Sequence, residues 1–107
     1  MPEQLRPPER VKKHFPAVHE TFMAMRGHIA EAGPLDAKTR ELLLLAAMTV
    51  GRQSGGIKTH TRLALQHGAT AEEVRQAIVV TFGASAPIGH VGEALGWADE
   101  VIEAPSA

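Results

Sequence analysis

The run from Leu35 to Gly51, LDAKTRELLLLAAMTVG, constrains this chain more than any other segment. Asp36 stands where it can cap a helix, with Leu35 as its apolar flank, and the helix is expected to run on to a stop at Gly51. Apolar residues fall on nearly every face of that helix rather than along one stripe. Such a helix is stable only when several of its sides are covered, so it is expected at the centre of the fold and with one face against another subunit. At 107 residues the chain is about one domain long, a size that leaves much apolar surface uncovered and makes oligomerisation a common remedy. With one Trp, three Phe and no Tyr, the core has to be aliphatic.

The remaining segments read as helices too. Met1 to Pro8 carries three of the seven prolines and is expected to be an extended, mobile leader, followed by a short helical turn from Glu9 to His14. Pro16 is suited to the first turn of a longer helix in which Val18, Phe22, Met25 and Ile29 recur at helical spacing before Gly33-Pro34 ends it. After the polar break Gly51-Arg52-Gln53-Ser54, a helix is expected from about Gly55 to His67, with Gly68 as its left-handed terminator. Thr70 and Glu73 form a T-x-x-E capping box for a helix through Ala77, Ile78 and Phe82. GASAP breaks that helix, and Pro87 opens a last one carrying Ile88, Val91, Leu95 and Ile102. No segment alternates as a strand does. The fold class is therefore all-α, five to six helices in one domain over residues 1–107, with a helical hairpin at the centre.

Composition removes several functions. Eleven basic and twelve acidic residues are interspersed to a net charge of −1, which leaves no footprint for nucleic acid or for membrane headgroups. No apolar run approaches the length of a membrane span, and the opening residues lack the apolar core of a secretory signal. The absence of cysteine excludes disulfides, thiolate metal sites and thiol redox catalysis, and fits a cytoplasmic protein. His14, His19, His28, His67 and His90 form no pair with zinc-motif spacing, so neither a metal nor a cofactor is expected.

Two clusters could carry chemistry. Glu41 stands ten residues before Gly51 and His60 nine after it, so a hairpin pivoting there brings them to similar heights. A histidine oriented by a carboxylate is a competent general acid or base near neutral pH, because the carboxylate fixes the tautomer and stabilises the imidazolium. The same two residues serve equally as a structural buried ion pair. The second cluster is the loop Gly51-Arg52-Gln53-Ser54-Gly55-Gly56. Glycine-rich backbone at a helix start presents free N–H groups, and Arg52 adds a fork that fits a small carboxylate. A plain turn with Ser54 as helix cap explains the loop as well.

The run LDAKTRELLLLAAMTVGRQSGGIKTHTRLALQHGATAEEVRQAI resembles the core of the carboxymuconolactone decarboxylase and alkylhydroperoxidase-D (AhpD-like) superfamily, whose pattern is L-D-x-K-T-[KR]-E-L, an apolar helix, a short loop, a histidine-bearing helix and A-x-x-x-G-A-T-x-E-E-[IV]. The resemblance implies an AhpD-like helical bundle that assembles as a trimer, or as a hexamer built from two trimers. It places the superfamily's histidine on His60 and its glutamate on Glu41. The two cysteines of the peroxidase branch fall on Gln53 and Gly56, so the nucleophile of that branch is missing. The decarboxylase branch also lacks the cysteine pair but carries acidic residues about where Ser54, Gly55 and Gly56 stand.

The function expected on these grounds is cofactor-free acid–base chemistry, of lyase or isomerase type, on a small carboxylate or lactone. His60 is the expected general acid or base and Glu41 its orienting group, while Arg52, Gln53, Ser54, Gly55 and Gly56 hold the ligand. The alternatives are a non-catalytic relative that keeps the fold as a binding or assembly module, and a thiol peroxidase, which the lack of cysteine contradicts.

Overall fold

A computed structural model describes residues 4–104. Among them are six helices and no strand beyond one isolated bridge, Phe82 to Ala86. The chain divides into two compact units, Met1–Pro34 and Leu35–Ala107.

The first unit is a pair of packed helices, α1 (Pro7–His14) and α2 (Pro16–Ala30). Both begin on proline, whose missing N–H costs nothing in a first turn and whose fixed φ already suits a helix. The expected leader is thus shorter at its helical end: Pro7 and Pro8 lie inside α1, and Glu9 accepts the Arg6 backbone N–H at 3.1 Å and its side-chain Nε–H at 2.8 Å. Residues 1–3 of that leader lie outside the described residues. Helix α2 stops at Ala30, four residues before Pro34, because the chain is already turning through Glu31 to Pro34.

The second unit holds α3 (Ala37–Val50), α4 (Ser54–Gln66), α5 (Ala71–Val79) and α6 (Ile88–Ile102). Asp36 caps α3 by accepting the Thr39 N–H at 2.8 Å. At the end of α4, Gly68 takes φ +96°, a conformation that side chains with a Cβ resist. Thr70 and Glu73 satisfy each other's backbone N–H at 3.0 and 2.9 Å, which completes the capping box of α5.

Helices α3 and α4 form the central hairpin. Helix α6 lies along α4, and α5 packs on α3 and α6. Leu45 of α3, Ile57 and Ala64 of α4, Val74 and Ile78 of α5, and Val91, Ala94 and Ala98 of α6 make one aliphatic core, most of it fully buried. Each large aliphatic in it contributes about 1.5–3 kcal/mol by leaving water. The all-round apolar α3 spends only part of its surface here: Leu45 and Thr49 are buried, whereas Leu43 and Val50 stay exposed. No helix among the described residues is long and apolar enough to cross a membrane.

Candidate acid–base site

The hairpin brings Glu41 and His60 together. On α3, Glu41, Leu45, Met48 and Thr49 share the face turned to α4, since spacings of four, seven and eight residues return to one side of a helix. On α4, Ile57, His60, Thr61 and Ala64 are the buried positions. His60 Nδ1 lies 2.5 Å from Glu41 Oε2, and the two side chains keep 9% and 14% of their exposure. An ionised carboxylate only accepts, so Nδ1–H donates and the neutral ring carries its lone pair on Nε2. That tautomer is the one a general base requires.

The loop residues distribute differently. Arg52 sits at φ +54°, in the left-handed region that few residues other than glycine adopt. Its fork closes on Glu93 of α6, with Nε–H on Oε1 at 2.7 Å and Nη2–H on Oε2 at 2.9 Å. These bonds hold the Glu93 carboxyl below its ordinary value and raise the guanidinium. Gln53, not Ser54, is the N-cap of α4, and it makes no side-chain capping bond; Ser54 is already the first helical residue. The expected capping role of Ser54 therefore falls away. Gly55 has open space at its Cβ position, whereas a Cβ on Gly56 would stand 2.7 Å from the Met48 sulfur. Six residues separate Ser54 from His60, about 9 Å along the axis of α4. The helix start and the imidazole are thus two places rather than one compact pocket.

Glu93 has no signal in the sequence, because it lies 41 residues from Arg52 and matches no motif. His90, one turn before it, adds a favourable charge to Glu93 and has its Nδ1 buried without a partner. The Thr61 hydroxyl is likewise buried and unpaired. Among the described residues no three His, Asp or Glu side chains converge as metal ligands. A shallow hollow of about 280 Å³ lies between α3 and α5, on the side of α3 that carries Leu42, Leu43 and Ala46 rather than Glu41.

The family model described as "Carboxymuconolactone decarboxylase family" matches residues 16–100. An uncharacterized protein of Methanocaldococcus jannaschii is 31% identical over 80 residues, which span 74% of this chain and 75% of that protein. Uncharacterized protein 4 in the cox locus of Paracoccus denitrificans is 30% identical over 87 residues, 79% of this chain and 78% of its own length. No solved structure matches the chain significantly.

Proposed function

The chain belongs to the carboxymuconolactone decarboxylase family, and from that premise we propose that it performs cofactor-free acid–base chemistry on a small carboxylate or lactone, with His60 as the proton-transfer group. The observation that carries this reading is the 2.5 Å contact of His60 Nδ1 with Glu41 Oε2 between two nearly buried side chains. In water such a pair is screened. Here the carboxylate fixes the orientation and tautomer of the ring, which leaves Nε2 as the atom that gives or takes a proton.

For a decarboxylation, the bond between the substrate carbon and its carboxylate breaks, CO2 leaves, and the electron pair passes into a conjugated enolate. The imidazolium Nε2–H then protonates that enolate on carbon, and Glu41 holds the ring throughout. For an isomerisation, neutral Nε2 removes a proton from one carbon and returns it to another. Neither course consumes a metal or a redox partner. Free N–H groups at Ser54, Gly55 and Gly56, with the three Arg52 donors not used by Glu93, are the groups proposed to receive the ligand's carboxylate, Gln53 standing beside them.

A second reading has its own observation. Arg52 is already closed on a carboxylate, that of Glu93, so the anion clamp is occupied from within. On that reading the chain is a non-catalytic binding or assembly relative.

Incubation with carboxylated γ-lactones, followed by ultraviolet absorbance and CO2 release, separates the two. Turnover in the wild type that is lost in His60→Gln supports the enzyme. Absence of turnover, together with ring NMR signals of His60 that do not move at millimolar lactone, leaves the assembly relative. The proposed setting is a cytoplasmic homo-oligomer, a trimer or a hexamer, and light scattering of the wild type tests the assembly.

A further inference from the structure

Glu93 closes on the Nε–Nη2 edge of the Arg52 fork, which is the same complex that the carboxylate of a ligand would form there. The contact is built to exchange. Among the described residues Glu93 accepts hydrogen bonds from Arg52 alone, and the two side chains remain 58% and 39% exposed. An exposed ion pair contributes little to stability, so a second carboxylate replaces the first at nearly equal free energy. Gly89 and Gly96 stand one turn to either side of Glu93 on the same face of α6, each with open space where a Cβ would lie, so no side chain crowds the approach. Arg52 makes the contact from a left-handed backbone at φ +54°, a conformation that few residues other than glycine adopt.

We propose that Glu93 is a built-in competitor for Arg52 and so sets the specificity of the ligand site, which opens only to a ligand bearing an ionised carboxylate. This selection rests on the proposed carboxylate ligand and names the residue that enforces it. A neutral lactone or an amide lacks two equivalent charged oxygens, so it leaves the fork closed. A carboxylate presents the same two acceptors in one plane, takes over the Nε–Nη2 edge and frees Glu93. The freed side chain has a second place to go. His90 lies one turn before Glu93 on the same helix face, its charge already favours the ionised carboxylate, and its Nδ1 is buried without a partner. Specificity of this kind comes from a standing competitor that weak or neutral ligands fail to remove.

Paraconate, a carboxylated γ-butyrolactone, and γ-butyrolactone itself are the two probes, titrated into the full chain by NMR. Glu93→Gln is expected to bind paraconate about five-fold more tightly than the wild type, since the competitor it removes is an exposed pair. Its affinity for γ-butyrolactone should not change, and adding Arg52→Gln should cancel the gain. In the wild type, the Arg52 Nε–H and Glu93 carboxyl-carbon signals should move along one binding curve with paraconate, a reading that needs no variant to fold. A folded Glu93→Gln that binds paraconate no better than the wild type makes Glu93 a strut and overturns the competitor. So does a gain that γ-butyrolactone shares or that survives Arg52→Gln, and so does a wild type in which the Arg52 signal moves while that of Glu93 stays fixed. Each of these leaves the proton-transfer role of His60 standing. Failure of paraconate to bind either protein at millimolar concentration overturns the competitor and the proposed carboxylate ligand together.

Discussion

The Arg52 guanidinium closes on the Glu93 carboxylate with two hydrogen bonds of 2.7 and 2.9 Å, and so ties the turn between α3 and α4 to the middle of α6. Arg52 holds a left-handed backbone at φ +54° while doing so. A sparsely populated conformation persists where its surroundings over-determine it, and here the paired fork supplies part of that constraint.

The pairing sets a pH dependence. Arg52 lowers the Glu93 carboxyl in the folded chain, whereas the unfolded carboxyl titrates near its ordinary value of about 4.3. The unfolded state therefore binds the proton more readily, and the pair's contribution is present above about pH 5 and is lost as pH falls through the depressed folded value. Glu93→Gln should lower the melting temperature modestly at neutral pH and not at all near pH 2. Thermal melts of both proteins across that range check the expectation, and a gap that stays constant with pH contradicts it. Both side chains are substantially exposed, so the effect is small and shrinks further with salt.

Gly68 tests the backbone at the other end of α4. At φ +96° a side chain is strained whatever space surrounds it, and the space around Gly68 is open. Gly68→Ala should therefore destabilise by about 1–2 kcal/mol without any steric clash. Urea denaturation measures this directly. A neutral or stabilising alanine would mean that the helix ends in some other conformation.

Met48 bears on the missing thiol chemistry. Its sulfur stands 2.7 Å from where a Cβ on Gly56 would lie, at the position that the resemblance assigns to the second cysteine. The wild type should reduce no peroxide with dithiol donors. Gln53→Cys with Gly56→Cys should oxidise to a disulfide slowly or incompletely, and adding Met48→Ala should speed that oxidation by clearing the site. Thiol titration against time reads the difference. Equal rates in the two variants would show that Met48 yields without cost.

Much of the fold was legible because its boundaries are local chemistry. Asp36 with Thr39, Thr70 with Glu73, and Gly68 each act over one helical turn, so the residue types alone announce them. The Glu41–His60 contact was legible for a related reason: one short turn fixes the register of a hairpin, and residues equidistant from it face each other. Arg52–Glu93 was not, since α6 reaches the turn only through tertiary packing and no spacing encodes it. The choice of Ser54 as cap failed because Gln53 already leaves helical geometry, at φ −101° and ψ 91°, which moves Ser54 into the first turn. Met48 escaped notice because Gly56 reads as flexibility, whereas its bareness serves the close passage of a side chain from α3.

The proposed role of His60 separates from its structural role by comparing two replacements. Glu41 keeps 14% of its side-chain exposure and has His60 as a hydrogen-bonding partner at 2.5 Å. His60→Ala removes that partner and leaves a nearly buried carboxylate without it, which for buried pairs costs about 3–5 kcal/mol, the lower end applying where some solvent remains. Glutamine donates one hydrogen bond to the same oxygen from a side-chain amide, so His60→Gln should recover at least half of the lost stability in urea denaturation. A glutamine amide does not ionise near neutral pH, so that recovery should bring back no turnover and no pH dependence of ligand binding. Stability and proton transfer thus part company in a single variant. If His60→Gln restores both, the imidazole acts only as a hydrogen-bond donor; if it restores neither, the hairpin needs the ring itself, and the assay should be repeated in Glu41→Gln, where the histidine stays and only the orienting charge is lost.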